Sequence, residues 1–283
     1  MSANRREFVW RSLAGLCAPA IAGASESRAT TAGSTVKSDG DVPTDIGRHF
    51  RDHGLDGTFA MLAVHDQTLL LHNEARANMP FSPASTFKIA NSLIALETGV
   101  IADENESLKW DGQQRPVPEW NRDHSMRSAI AVSAVWFYQE LARRIGETRM
   151  REWIDRIGYG NRDISGGIDQ FWLGKGLRIT AREQIEFLRR LYANELPLAA
   201  RTCRIVKDIL VLERTSECVL RGKTGMLGKS GPELGWLVGW VERGERAWIF
   251  ASNIAMRQDT NAALRKSLPL EILTSLRLIE PAR

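Results

Sequence analysis

Apolar runs separated by turn residues predict β-strands near both ends of the chain and not in its middle. The first two runs are linked by His65-Asp66-Gln67 and the last two by Arg243-Gly244-Glu245, and such short polar links are typical of hairpins. Because hairpin-linked strands pair antiparallel, we expect an antiparallel sheet. The predicted strands cover residues 57–64, 68–72, 218–225, 235–242 and 246–254.

Apolar residues that recur every three or four positions predict helices between these strands and at the end of the chain. One clear start is the capping-box pair Thr180 and Glu183, which an apolar stripe beginning at Ile185 follows. We expect an α+β fold: an antiparallel β-sheet flanked by helices, plus a helical subdomain from roughly residues 85–215, with an active site in the cleft between them. The predicted helices cover residues 46–51, 83–98, 134–144, 149–157, 204–212 and 268–278.

At 283 residues the chain can form one large domain or two small ones. Its net charge of +4 is scattered and too small to indicate nucleic-acid binding. No run of about eighteen uninterrupted apolar residues occurs, so we predict no membrane-spanning helix. The five histidines lack the spacing of metal ligands, which disfavours a zinc site.

Residues 1–24 have the pattern of an export signal of the twin-arginine type. The pair Arg5-Arg6 precedes a weakly apolar run over residues 13–21, and the small residues 22–24 suit cleavage. The alternative is a disordered basic tail. If the segment is a signal, the mature protein is periplasmic.

Residues 25–45 are rich in Ser, Thr, Gly and charge, which predicts a flexible segment ahead of a domain that spans residues 46–283. Two cysteines remain after removal of the signal, Cys203 and Cys218. An oxidising periplasm would allow them to pair, whereas the predicted helix between them can hold them too far apart for a disulfide. The sequence leaves both arrangements open.

The segment from Ser82 to Lys88 carries the first candidate chemistry. Ser82 suits a helix N-cap and Pro83 the first helical position. Ser85 and Lys88 are then three residues apart, on one face of the helix. A serine hydroxyl is a weak nucleophile without an adjacent base, and a lysine can be that base if burial disfavours its charged form. The pair alone also occurs by chance in solvated helices.

Two later motifs strengthen this interpretation. The run Ser133-Ala134-Val135 offers a second hydroxyl, and Lys223-Thr224-Gly225 ends a predicted strand. Two serines and a lysine around one pocket can attack an acyl group and move protons, while Lys223 and Thr224 can hold a carboxylate. We expect Gly225 to keep the face of its strand clear so that a flat substrate can lie along it. The occurrence of three motifs in this order is the strong signal.

With these motifs the chain resembles the class D serine β-lactamases, the oxacillinase family. It departs from the class A pattern, because its second motif contains no Asn and no Glu-x-x-Leu-Asn segment follows. The likeness runs from about residue 46 to the end, and it implies the fold shared by serine β-lactamases and penicillin-binding proteins. Further matching runs are 80–84, 91–99, 159–161, 171–173 and 235–240.

The resemblance implies a role for each motif residue. Ser85 would be the acylated nucleophile, and Lys88, carbamylated by carbon dioxide, would be the general base for acylation and deacylation. Carbamylation requires a neutral amine, which apolar burial favours. Val135 and Phe87 would form an apolar wall, and Trp172 would donate its indole N–H to the carbamate. Ordinary core filling is the alternative for Trp172.

The resemblance also implies the groups that face the substrate. Ser133 would relay a proton to the lactam nitrogen, and the backbone N–H groups of Ser85 and Met226 would form the oxyanion hole. No metal and no cofactor other than carbon dioxide is implied. A solvated surface charge is the alternative for Arg265. The substrate-binding residues are Lys223, Thr224, Gly225, Met226 and Arg265.

We therefore expect an enzyme that hydrolyses the β-lactam ring of penicillins and related antibiotics and confers resistance to them. Two alternatives use the same chemistry: a penicillin sensor that stays acylated, and a D-Ala-D-Ala peptidase. The expected partner is a small-molecule β-lactam, and the chain is compatible with a monomer or a homodimer. The substrate spectrum would depend on the loops over residues 226–233 and 110–121.

Overall fold

The computed structural model describes residues 45–228, 234–256 and 262–281. The predicted signal, residues 1–24, the predicted flexible segment up to residue 44 and most of the loop 226–233 lie outside them, so the first two stay predictions. The strands are β1 (Gly57–Ala63), β2 (Leu69–His72), β3 (Ser107–Leu108), β4 (His124–Ser125), β5 (Val211–Arg214), β6 (Val219–Leu227), β7 (Leu234–Arg243) and β8 (Arg246–Ala255). The α-helices are α1 (Ile46–Asp52), α2 (Glu74–Ala77), α3 (Lys88–Glu97), α4 (Met126–Val132), α5 (Val135–Ile145), α6 (Glu147–Ile157), α7 (Ala181–Tyr192), α8 (Ala200–Ile209) and α9 (Leu264–Ser275).

The main sheet has the strand order β2-β1-β8-β7-β6-β5. Every neighbouring pair is antiparallel, which confirms the predicted sheet. β1 lies between its hairpin partner β2 and the distant strand β8, with Gly57 opposite Ile254 and Ala63 opposite Trp248. Strands from the beginning and the end of the domain therefore share one sheet.

Helices cover both faces of this sheet, so β7 is buried on both sides. Trp236 and Trp240 point toward the larger core, which α3–α8 share, whereas Leu237 and Val241 point toward α1 and α9. A strand that is buried on both faces appears in the sequence as a continuous apolar run. The apolar run of β7 therefore reflects the two layers of helices.

α3 is the central helix of the helical part and contacts both α5 and α8. Every residue from Lys88 to Leu96 is buried. Tyr138 of α5 satisfies two polar members, since Asn91 Nδ2 donates to Tyr138 O at 3.1 Å and Ser92 Oγ lies 3.0 Å from the Tyr138 hydroxyl. An enclosed helix that is tied to α5 by these two contacts is a rigid support for chemistry at its first turn.

The predicted helix over residues 204–212 is wrong at its C-terminal end. α8 stops at Ile209, and β5 follows at the edge of the sheet. Long-range pairing explains the change, because Gly222 N–H donates to Leu210 O at 2.9 Å and β5 pairs with the beginning of β6. Other elements differ as well: α2 and α4 have no predicted counterpart, and α9 begins at Leu264 instead of residue 268. The expectation of no strands in the middle of the chain is also wrong, because the short strands β3 and β4 pair there.

Cys203 and Cys218 are both buried free thiols, which decides the question that the sequence left open. Cys203 lies on α8, and Cys218 immediately precedes β6.

Within the described ranges, no helix is long and apolar enough to cross a bilayer.

Candidate active site

The nucleophile segment does not begin as a helix capped by Ser82, so that prediction is wrong. Ala84–Phe87 forms a 3₁₀ turn that continues into α3, and Pro83 takes the cap position without a side-chain hydrogen bond. The turn needs no side-chain cap at its start, because Thr86 N–H donates to Pro83 O at 3.1 Å. The Ser82 hydroxyl instead donates to Trp172 O at 2.8 Å.

Ser85 and Lys88 meet in this segment, as the spacing predicts. A 3₁₀ helix has about three residues per turn, so side chains three residues apart lie in line, and Lys88 Nζ is 2.6 Å from Ser85 Oγ. Ala84, just before the serine, has a left-handed φ of 48°. Such a backbone costs a residue with a β-carbon about 1 to 2 kcal/mol. The surrounding structure must therefore hold the turn in place.

Ser133 reaches the same amine from the junction of α4 and α5. Its φ of 58° is also left-handed, at the C-terminal end of α4. Lys88 Nζ donates to Ser133 Oγ at 3.0 Å and to Ser133 O at 3.1 Å. Val135 follows as the first residue of α5 and is half-buried. The first two sequence motifs thus converge on Lys88.

The amine of Lys88 is shielded from water, since the exposed fraction of the residue is 0%. Burial, and next the charge of Lys223, lower the pKa of Lys88 well below its usual value. Both effects disfavour the ammonium form relative to the neutral amine. Lys88 is therefore predisposed to accept a proton from its closest hydroxyl, that of Ser85.

Trp172 is fully buried beside the turn, and its indole stacks on the Phe87 ring at a centroid distance of 5.4 Å. Trp172 Nε1 has no hydrogen-bond partner among the described residues. Such a buried donor is rare, because leaving it unpaired costs about 1 to 3 kcal/mol. Ordinary core filling does not explain this N–H group, which is suited to bind an acceptor.

β6 contributes an open sheet edge to the site. β5 pairs only with residues Val219–Arg221 of β6, and Gly222 N–H turns outward to Leu210 O. Backbone groups of every second residue point the same way in an antiparallel ladder, so the N–H groups of Thr224 and Met226 also point outward. No strand in the described ranges pairs with this part of β6 on that side. These N–H groups are available to a substrate.

Gly225 serves packing, so the prediction that it keeps a clear surface for the substrate is wrong. A β-carbon on Gly225 would lie 2.9 Å from Pro83 O and 3.1 Å from Thr86 Cγ2. The distance to Pro83 O, a backbone atom, is shorter than real β-carbons show, and the distance to Thr86 Cγ2 is tighter than most such contacts. The absence of a side chain therefore allows the 3₁₀ turn to rest directly on β6, which brings Ser85 beside the open edge.

Lys223 and Arg265 bring two cations to this edge. Lys223 is buried, and burial followed by the charge of Arg265 lowers its pKa to about 7. Lys223 Nζ donates to Thr224 O at 3.1 Å. Arg265 is half-buried at the beginning of α9 and donates to Ala262 O, so it is not a fully solvated charge. Two partly desolvated cations side by side favour an anionic ligand.

Sequence reasoning missed Gln184, a buried residue that contacts the 3₁₀ turn Ala84–Phe87, called the nucleophile turn below because it carries Ser85. Its Nε2 donates to Thr86 Oγ1 at 2.9 Å, and its exposed fraction is 0%. Gln184 precedes Leu188 by one helical turn, so periodicity places both on the buried stripe of α7. A polar residue on that stripe is the signal that could have identified it.

The fold and the site both match known proteins. Residues 57–273 match the family model of the penicillin binding protein transpeptidase domain. The β-lactamase OXA-48 of Klebsiella pneumoniae is 45% identical over 231 residues, which cover 82% of this chain and 87% of the relative. The crystal structure of the class D β-lactamase YbXI from Nostoc is 46% identical, with a TM-score of 0.81 over 83% of this chain and 99% of that chain. The chain belongs to the class D serine β-lactamases.

Other members of the class D β-lactamases agree. OXA-10 of Pseudomonas aeruginosa is 42% identical over 235 residues, which cover 82% of this chain and 88% of the relative. The predicted family, the fold shared with penicillin-binding proteins and the serine β-lactamase type of enzyme are confirmed. In this class D chain, the nucleophile turn, the α4–α5 junction and the open edge of β6 are the parts that carry the three motifs.

Proposed function

We propose that this class D β-lactamase hydrolyses the lactam ring of penicillins and related antibiotics through an acyl-enzyme on Ser85, and so confers resistance. The observation that carries the proposal is the 2.6 Å contact between Lys88 Nζ and Ser85 Oγ at an enclosed amine. At that distance Lys88, once carbamylated as proposed below, can take the hydroxyl proton as the oxygen attacks. Relatives named as β-lactamases support the substrate class.

In acylation, Ser85 Oγ forms a bond to the lactam carbonyl carbon while its proton passes to Lys88. The carbon–nitrogen bond of the ring then breaks, and the nitrogen takes a proton through the Ser133 hydroxyl, which lies 3.0 Å from Lys88 Nζ. The carbonyl oxygen becomes negative during the attack. The N–H groups of Ser85 and Met226 would stabilise that charge as an oxyanion hole.

The carboxylate of the substrate would bind at the cationic part of the β6 edge. Lys223 and Arg265 supply the charge, and Thr224 supplies a hydroxyl on the same strand as Lys223. A bound carboxylate favours the charged form of Lys223 and so opposes the effect of burial on its pKa. Binding of the anion and protonation of Lys223 are therefore coupled.

We also propose that carbon dioxide carbamylates Lys88. The reaction requires a neutral amine, and the lowered pKa of Lys88 favours one. Trp172 Nε1, which lacks a partner in the described part of the chain, would donate to the carbamate, and Phe87 and Val135 would supply apolar walls. When bound, the carbamate supplies an anionic general base, both for Ser85 and for the water of deacylation.

The twin-arginine pattern of residues 1–24 supports export to the periplasm. Replacing Arg5 and Arg6 together by lysine should leave the enzyme in the cytoplasm of a Gram-negative host. Cell fractionation followed by a β-lactam hydrolysis assay tests this part of the proposal. Equal periplasmic activity with and without the arginine pair would contradict it.

The deciding experiment is a time course with purified mature protein and a penicillin. Absorbance follows loss of the lactam, and intact mass follows the adduct on Ser85. We expect many turnovers and return of the protein to its unmodified mass. Consumption of one equivalent with a lasting adduct would instead support the sensor or the peptidase, and neither loss nor adduct would refute the proposed site.

Two variants separate the roles of the serine and the lysine. Ser85→Ala should lose both turnover and covalent labelling, whereas Lys88→Ala should lose turnover. Parental turnover by Lys88→Ala would contradict the proposed base. Added bicarbonate should restore activity that is lost in buffer depleted of carbon dioxide. If bicarbonate had no effect, carbamylation would be contradicted, and the roles of Ser85 and Ser133 would not be affected.

A further inference from the structure

Gln184 is a buried amide beside the nucleophile turn. Its exposed fraction is 0%, and the other buried residues of α7 are all apolar. Gln184 Nε2 donates to Thr86 Oγ1 at 2.9 Å, and that hydroxyl donates in turn to Pro83 O at 2.7 Å. Two consecutive hydrogen bonds thus connect α7 with the turn that carries Ser85.

Packing alone does not explain a glutamine at this position. Gln184 Oε1 has no hydrogen-bond partner among the described residues, and an unpaired buried polar atom destabilises a fold. The Tyr159 hydroxyl is buried beside Thr86 and Gln184, also without a hydrogen bond of ordinary geometry. A methionine would fill a similar volume without burying an unpaired amide oxygen. What the amide supplies and a methionine cannot is a directed hydrogen bond to the Thr86 hydroxyl.

Pro83 O, at the end of these hydrogen bonds, is held by two different elements. Thr86 binds it through both its backbone N–H and its hydroxyl. β6 also packs against it, since a β-carbon on Gly225 would lie 2.9 Å from Pro83 O. The next residue, Ala84, has the left-handed φ of 48° and depends on such support.

We propose that Gln184 is a positioning residue for acylation, which acts through the Thr86 hydroxyl. It fixes Pro83 O against β6 and thereby sets the distance between the N–H groups of Ser85 and Met226. The inference rests on the proposed function, in which these N–H groups form the oxyanion hole. Misplacing one donor reduces stabilisation of the transition state far more than binding of the substrate. The acylation rate constant should therefore fall, and the affinity for the substrate should not.

Stopped-flow acylation with a chromogenic cephalosporin tests the proposal, because it separates the dissociation constant from the acylation rate constant. Gln184→Met and Thr86→Val should each lower the acylation rate constant about 10- to 100-fold and change the dissociation constant less than about twofold. The double variant should be no slower than the slower single variant, since both changes break the same connection. Thr86→Ser keeps the hydroxyl and should stay within about threefold of the parent.

Thr58→Val is the matched control. Thr58 is also fully buried, and its hydroxyl also donates to a main-chain carbonyl, that of His72. It lies on β1, which β8 and β7 separate from β6. This variant should therefore acylate at the parental rate.

Three results would overturn the proposal. Gln184→Met could acylate at the parental rate, or Thr58→Val could lose as much of the acylation rate as Gln184→Met does. The third is a double variant, Gln184→Met with Thr86→Val, whose loss equals the product of the two single losses. If Gln184→Met does not fold, the comparison of Thr86→Val with Thr86→Ser decides, and equal rates for these two variants overturn the proposal. Failure of the proposed function gives a different result, because the parent itself would form no adduct on Ser85.

Discussion

The hydroxyl of Ser82 donates a 2.8 Å hydrogen bond to the main-chain carbonyl of Trp172, which lies 90 positions away in the sequence. The same hydroxyl accepts from Gly174 N–H at 3.1 Å. Ser82 O accepts from Trp236 Nε1 at 3.0 Å, which anchors the residue to β7. The location of the Trp172 indole therefore depends on the residue three positions before the nucleophile.

Ser82→Ala should loosen Trp172 and weaken carbamylation of Lys88. Loss of one hydrogen bond of this kind is worth about 1 kcal/mol, which corresponds to about fivefold in an equilibrium constant. We expect half-maximal activity to require about five times more bicarbonate, with little change at saturating bicarbonate. Titration of hydrolysis against bicarbonate measures this shift.

Ser252→Ala is the control for this prediction. Ser252 is buried, and its hydroxyl also donates to a main-chain carbonyl, Thr58 O, at 3.0 Å. The variant should lose similar stability in thermal unfolding and keep the parental bicarbonate dependence. The same bicarbonate dependence in the two alanine variants would show that the contact of Ser82 with Trp172 does not control the site.

Gly225→Ala should damage both stability and activity. Its β-carbon would push Pro83 O and Thr86 Cγ2 away from β6, from distances of 2.9 and 3.1 Å. Overpacking of this kind costs about 1 to 3 kcal/mol, and displacement of the turn should lower kcat at least about tenfold. Urea unfolding and steady-state hydrolysis provide the two measurements.

Gly228→Ala is the matched control for Gly225→Ala. A β-carbon on Gly228 would have no neighbour within 4 Å. We expect its free energy of unfolding to change by less than about 0.5 kcal/mol. If Gly225→Ala were as active and as stable as Gly228→Ala, close contact between the turn and β6 would be unnecessary.

Met226→Pro should remove one donor of the proposed oxyanion hole while the sheet is retained. The N–H of Met226 points outward from the open edge, and proline is tolerated on a strand edge where no ladder bond is lost. Loss of such a donor lowers kcat about 100- to 1000-fold. Met226→Ala keeps the N–H and should stay within about threefold of the parent. Equal kcat values for the two variants would exclude this N–H from catalysis.

The pH dependence of kcat/KM should report the protonation of Lys223. Its pKa in the free enzyme is lowered to about 7, so the charge of Lys223, one of the two cations proposed to bind the carboxylate, is present below that pH and is lost above it. We expect kcat/KM for a penicillin to fall as pH rises through about 7. Lys223→Arg stays charged throughout this range, so this falling limb should disappear. Its persistence in Lys223→Arg would assign the limb to another group.

The sequence was sufficient to predict features that depend on neighbours within one helical turn or one hairpin. The capping box is an example: Thr180 N–H donates to Glu183 Oε2 at 2.8 Å, and Glu183 N–H donates to Thr180 Oγ1 at 3.1 Å. The contact of Ser85 with Lys88 is another, because residues three apart meet in an α-helix and in a 3₁₀ turn alike.

Features that depend on distant segments were predicted wrongly or missed. The sequence predicted Ser82 as a helix cap, but its hydroxyl donates to Trp172 O and accepts from Gly174 N–H. Gly225 appeared suited to a substrate surface, but the nucleophile turn takes that space. Residues 211–214 form the strand β5 because they pair with the edge of β6. In each case a partner far away in the sequence decided between local conformations of similar energy.

The sequence by itself determined which reactive groups are present, their order and the antiparallel pairing of the hairpin strands. Tertiary structure decided their electrostatic state. Burial of Lys88 and of Lys223 lowers both pKa values, and each lysine is also affected by another cation, Lys223 and Arg265 respectively. Desolvation and charge–charge interaction depend on distances in space, which residue spacing does not specify when the groups come from different segments. The turn, the α4–α5 junction and β6 therefore acquire a common chemistry only when the helices close over the sheet.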